Sequence, residues 1–90
     1  MKKNEKDSFW NFWTMIKVQK ALERAQKEST LLSLKQIVEA AFPEAVGNKA
    51  ALKFMTSNTA RYLGRSLHNK VVDFFINNFE KSKTVYYSLR

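Results

Sequence analysis

The chain changes character once, at Lys70, and that change limits the folds open to it. Before Lys70, apolar residues recur at three- and four-residue steps, which lines them along one side of a helix. After it, Val71-Val72-Asp73-Phe74-Phe75-Ile76 and Thr84-Val85-Tyr86-Tyr87-Ser88-Leu89 are β-branched and aromatic, residues suited to a pleated strand. Glu80-Lys81-Ser82-Lys83 is a polar connection between them. The expected fold is α+β, mainly helical with a C-terminal β-hairpin. A hairpin alone is marginal in water, so it must lay an apolar face on the helices.

A first helix is expected from Ser8 to about Glu28 behind a flexible tail, residues 1–7, with Asp7 or Ser8 as its cap. Phe12, Met15, Val18, Leu22 and Ala25 form its apolar stripe, and Lys17, Lys20, Arg24 and Lys27 lie opposite. Leu31-Leu32 gives a short extended entry to a second helix, where Leu34, Ile37, Val38, Ala41 and Phe42 make a full helical set. Ser33 and Gln36 form a capping box, each side chain satisfying the other's backbone N–H, and Pro43 ends the helix. Glu44 to Asn48 reads as a turn and Lys49 to Met55 as one or two helical turns. Thr56-Ser57-Asn58 interrupts them and caps a last helix, from about Asn58 to Asn69. On that helix Ala60, Leu63, Gly64 and Leu67 are expected to pack inward, with Gly64 allowing close approach. Asn58, Arg61, Tyr62, Arg65 and Asn69 stand opposite, with His68 at the margin.

Ninety residues hold one core, so residues 8–90 are expected to form a single domain. The net charge is +8, an excess that attracts polyanions. Its placement is more telling. No acidic residue lies between Glu44 and Asp73, while Lys49, Lys53, Arg61, Arg65 and Lys70 all fall there. The inventory points away from enzymes and metals: there is no cysteine, one histidine, no glycine-rich phosphate loop and no carboxylate pair at catalytic spacing. No cofactor, metal or small-molecule substrate is therefore expected. Neither a membrane span of about 18 apolar residues nor a signal peptide can be read in the chain, so a reducing cytoplasm is the expected compartment.

The last helix carries the side chains that nucleic-acid recognition calls for. Arginine donates two parallel bonds to a guanine edge or a phosphate, and asparagine pairs with adenine in the same two-point manner. Tyr62 can reach a phosphate or stack on an unpaired base, and Thr56, Ser57 and Asn58 suit a phosphate at a helix N-terminus. Each feature also has a plainer reading. Arg61 and Arg65 can be a solvated face, Tyr62 a cover for the core edge, and Lys81 and Lys83 protection for a sheet edge.

Three helical segments, then Thr59-Ala60-Arg61-Tyr62-Leu63-Gly64-Arg65-Ser66-Leu67, then a hairpin closing on Tyr86-Tyr87-Ser88-Leu89-Arg90, resemble a winged helix-turn-helix domain. The Ala-Arg-x-Leu-Gly-Arg-x-Leu wording is similar to small winged-helix domains attached to primases and helicases of phages, plasmids and other mobile elements. The resemblance covers roughly residues 32–90. It implies residues 58–69 as recognition helix, residues 71–89 as wing and Glu80 to Lys83 as the wing tip. The loop from Pro43 to Asn48, with helical turns after it, is longer than the tight turn usual in that family.

The function expected is non-enzymatic DNA binding, as an accessory or regulatory factor in replication or transcription of a mobile element. Duplex DNA is favoured, and Tyr62 leaves single strands open. Lys49, Lys53, Lys70, Lys81 and Lys83 would neutralise phosphates, while Asn58, Arg61, Tyr62, Arg65 and Asn69 contact bases or phosphates. Phe9, Trp10 and Trp13 form an aromatic cluster that either closes the bottom of the core or offers a surface for a protein partner or a homodimer, the second being favoured because a core of this size can scarcely bury three more large rings. The alternative function follows from it: an interaction subunit of a replication enzyme, held through the N-terminal helix.

Overall fold

The computed structural model describes the backbone of residues 5–77 and 84–90, and the side chains of residues 12–76 and 84–90. A long helix α1 (Glu5–Lys27) is followed by a two-residue strand β1 (Leu32–Ser33) and helix α2 (Leu34–Ala41). A 3-10 turn (Pro43–Ala45) leads to helix α3 (Lys49–His68), then to β2 (Val72–Asn77) and β3 (Thr84–Leu89). The α+β expectation holds in its coarse form, three helices and a small antiparallel sheet. No helix among the described residues is long and apolar enough to cross a membrane.

The sheet has the order β1-β3-β2, so β3 lies in the middle. Val72 pairs with Leu89, Phe74 with Tyr87 and Ile76 with Val85, while Leu32 pairs with Tyr87 from the other side. Directly opposed residues share a face. One face therefore carries Leu32, Val72, Phe74, Ile76, Val85, Tyr87 and Leu89, and its base packs on the helices through Val72, Tyr87 and Leu89. The sequence predicts β1 only as an extended entry; its pairing ties the hairpin to the helices across more than fifty residues.

Val18, Leu22, Ile37, Val38, Phe42, Leu63 and Val72 are the large side chains at the centre of the core. The capping box of α2 forms as the sequence predicts: the Ser33 hydroxyl accepts from the Gln36 backbone N–H at 3.3 Å, and the Gln36 side-chain Oε1 accepts from the Ser33 backbone N–H at 2.9 Å. Gly47, with φ of +96°, takes the turn before α3 into the left-handed region where a Cβ would be strained.

Four expectations are corrected. First, α1 begins at Glu5, so Asp7 and Ser8 lie inside the helix and residues 5–7 are not part of a flexible tail. Second, Phe12 is 59% exposed, and Thr14 is buried in its stead. Two successive three-residue steps, Phe12 to Met15 to Val18, turn the stripe by about 120° around the axis, which carries Phe12 off the inner line. Third, α3 is a single helix with no break at Thr56-Ser57-Asn58. The Thr56 hydroxyl donates to the Leu52 carbonyl at 2.7 Å, one turn back, and the cap is Asn48, whose side-chain oxygen accepts from the Ala51 N–H at 3.1 Å. Strong helix formers, Ala50, Ala51, Leu52, Lys53 and Met55, outweigh three weak ones.

Fourth, Ala60 and Gly64 are exposed, and a Cβ built on Gly64 meets nothing within 4 Å, so this glycine permits no close helix contact. The inner line of α3 is Thr59, Leu63 and Ser66, with Leu67 half-buried beside it. Small polar residues occupy the inner positions: Thr14, Thr59 and Ser66 are all buried. A pattern read only from apolar residue types places this helix incorrectly about its axis.

Candidate nucleic-acid interface

Once Thr59, Leu63 and Ser66 fix the inner side, the outer side of α3 follows from 100° per residue. Lys53, Ser57, Ala60, Arg61, Gly64, Arg65 and His68 are all exposed, and they lie within one arc of less than half the circumference. Lys49 stands at the start of the helix; Asn69 and Lys70 stand just past its end, all three exposed. Phe54, 46% exposed, lies on the same arc beside Lys53, and from Ser57 onward small side chains run between long cationic ones, an arrangement that lets this part of the helix come close to a rod-like partner while its arginines reach around it. The expected site omits Ala60 and Gly64, and takes Ser57 only as part of a phosphate site at a helix start. Taking the buried hydroxyl residues as inward, rather than the small apolar ones, would have found them.

This face carries no neutralising charge. α3 contains no carboxylate, and among the described residues the only salt bridge is Arg90 to Asp73, at 2.7 Å on the hairpin. Arg61 and Arg65, one turn apart, repel each other by about 0.2–0.5 kcal/mol on an isolated helix. Arg65 and His68 lie in the last turn, where the helix dipole favours a cation by about 0.3–1 kcal/mol. Arg61 is too far from the end to gain from it. Its position has no stabilising partner within the described fold.

Other expected site residues are placed differently. Tyr62 is half-buried against the core, and its hydroxyl oxygen accepts from the Gln19 side-chain amide of α1 at 3.0 Å. It joins α3 to α1 and does not stand beside Arg61 on the open face. Asn58 is half-buried, and its amide nitrogen is enclosed without a hydrogen-bond partner among the described residues. The expected phosphate site at Thr56, Ser57 and Asn58 loses its basis, because those backbone N–H groups are inside a continuous helix. Lys81 and Lys83 lie outside the described residues, as does the wing tip from Glu80 to Lys83.

For the aromatic cluster, Phe9 and Trp10 fall on the backbone of α1, but their side chains are outside the described ones. Trp13 is half-buried against the core, with the Lys17 ammonium 4.7 Å from its ring centroid. Lys17, Lys20 and Arg24 border a crevice of about 270 Å³ between α1 and the end of α2, with Glu44 on its other wall. A larger groove of about 660 Å³ runs between α2, α3 and β3, its floor made by Leu34, Val38, Leu52 and Tyr87. Burial raises the Tyr87 hydroxyl above the ordinary tyrosine value.

Compared with known proteins, the chain matches no family model, no curated protein and no solved structure.

Proposed function

We propose that the protein is a non-enzymatic DNA-binding protein of the winged-helix type, which lays the outer face of α3 against duplex DNA. The observation that carries this reading is the uncompensated pair Arg61 and Arg65, exposed among small side chains on a helix without a carboxylate. Support for the winged-helix plan comes from the order of elements: α2, a turn segment, α3, then directly the β2–β3 hairpin. In this reading Arg61 and Arg65 contact bases or phosphates, and Lys49, Lys53 and Lys70 neutralise phosphates along the flanks. Lys81 and Lys83 would add to them from the wing. The resemblance to domains of mobile-element primases and helicases suggests an accessory role in replication or transcription.

Truncating an arginine that reads a base costs about 1–3 kcal/mol of binding. Arg61→Ala with Arg65→Ala is therefore expected to weaken duplex binding well over tenfold, in a titration at fixed, modest salt, while the thermal unfolding of the domain is unchanged. Equal affinity of the double variant and the natural chain would reject the assignment. The interaction-subunit reading, first drawn from Phe9, Trp10 and Trp13, gains one specific support, the exposed Phe12 on α1. It predicts a partner that no longer binds after Phe12→Ala, and DNA affinity that is weak or insensitive to salt.

A further inference from the structure

β2 is an outer strand of the sheet, and among the described residues no strand lies on its free edge. Outer strands are normally blunted by lysine, proline or a bulge, because unpaired N–H and C=O groups are a template for another strand. β2 has none of these; its one charge, Asp73, lies near its start and is paired with Arg90 at 2.7 Å. Its sequence is Val-Asp-Phe-Phe-Ile-Asn, and no cation occurs from Val71 to Glu80 in a chain of net charge +8. Three consecutive large apolar side chains stand half out of the fold: Phe74 is 50%, Phe75 47% and Ile76 54% exposed. Phe74 and Ile76 lie on the helix-facing side but beyond the helices' cover, and Phe75 is on the other.

We infer that the free edge of β2 pairs antiparallel with β2 of a second copy, joining two three-stranded sheets into one of six strands. Self-complementarity selects this occupant. The run Asp73-Phe74-Phe75-Ile76-Asn77 reads polar, apolar, apolar, apolar, polar from either end. A two-fold axis at Phe75 sets that residue opposite itself and Phe74 opposite Ile76 of the second copy, so like faces meet throughout. Charge points the same way, since two strongly cationic chains meet with least repulsion along a segment without cations.

The three half-exposed side chains offer about 300 Å² per copy, against about 800 Å² per partner in stable interfaces. The dimer is therefore weak and reversible. Its salt dependence is opposite to that of DNA binding: screening the like charges strengthens it, whereas salt weakens attachment to phosphates. The inference stands apart from the DNA reading, and its test contains no nucleic acid.

Sedimentation equilibrium of the natural chain over a wide concentration range should show monomer passing to dimer, further towards dimer at higher salt. Phe75→Lys should stay monomeric at every concentration with unchanged circular dichroism, while Phe12→Lys, which alters a still more exposed ring on α1, should dimerise like the natural chain. The chain has no cysteine, so Phe75→Cys supplies a second readout that survives a folding failure of the lysine variant. Opposed residues of antiparallel strands have Cα atoms about 4.5–5.5 Å apart, within disulfide reach. Oxidation should then give a folded covalent dimer from Phe75→Cys and not from Phe12→Cys. A natural chain monomeric throughout, a dimer unaffected by Phe75→Lys, or equal crosslinking of the two cysteine variants would overturn the inference.

Discussion

Gly64 is the residue whose neighbours and role diverge most. A glycine inside a helix costs about 0.5–1 kcal/mol relative to alanine, and nothing in the protein crowds the position, since a Cβ there meets no atom within 4 Å. The fold alone would be better served by alanine. Gly64→Ala is therefore expected to raise stability by about that amount, read from urea or thermal unfolding. If α3 lies against DNA as proposed, the same methyl should weaken duplex binding, because Gly64 sits on the exposed arc between Arg61 and Arg65. A variant both more stable and equally tight would show that the groove wall does not come near this turn. Tyr62 makes the converse point. Its ring and hydroxyl are engaged by the core and by Gln19, so its aromatic character serves the joint of α1 and α3.

At the scale of elements, both long helices end alike. Ser29 and Lys70 have φ of 55° and 61°, left-handed values that side chains with a Cβ rarely adopt. Around Ser29, the Thr30 N–H donates to the Ala25 carbonyl at 2.8 Å and the Ser29 N–H to Gln26 at 3.1 Å. Around Lys70, the Val71 N–H reaches Ser66 at 2.8 Å and the Lys70 N–H reaches Leu67 at 3.1 Å. Both are Schellman endings, in which glycine is the usual residue. Ser29→Gly should stabilise the protein by about 0.5–1 kcal/mol, a gain visible as a rise in the unfolding midpoint, with no change in DNA affinity. A lower midpoint would mean the serine side chain contributes more than its backbone strain costs.

These elements also mark how far the sequence could be read. The capping box at Ser33 and Gln36, the stop at Pro43 and the two hairpin strands are local signals, and they were legible. The unbroken α3 was not, because Thr56, Ser57 and Asn58 carry cap-forming groups whichever way they are used; tertiary packing of Leu52, Thr59 and Leu63 decides for the helix. The rotation of α3 was illegible for a related reason. Its inner line holds Thr59 and Ser66, which residue type alone would place outside. Arg61, Arg65 and their freedom from acid could be read directly, whereas Ala60 and Gly64 beside them could not.

For the whole molecule, charge is the property that most sets behaviour, with one salt bridge among the described residues and a net charge of +8. Two cationic surfaces result: the outer face of α3 and the strip of Lys17, Lys20 and Arg24 beside the crevice on α1. Five cations along α3, Lys49, Lys53, Arg61, Arg65 and Lys70, would give a slope of log affinity against log salt of about −4.5, or about −6 with both hairpin lysines engaged. Lys20→Ala with Arg24→Ala should leave that slope unchanged, while Arg61→Ala with Arg65→Ala should make it shallower by about two units. Equal changes from the two pairs would assign the phosphates to both surfaces. The middle position of β3 has a consequence in time. Leu32 and Val72 both take their sheet partners from residues 84–89, so a chain growing on the ribosome can wind its three helices early yet owns no sheet at all until that segment has been translated. Throughout that interval Phe74, Phe75 and Ile76 are already made and unpaired, and the order of synthesis itself decides how long they stay so.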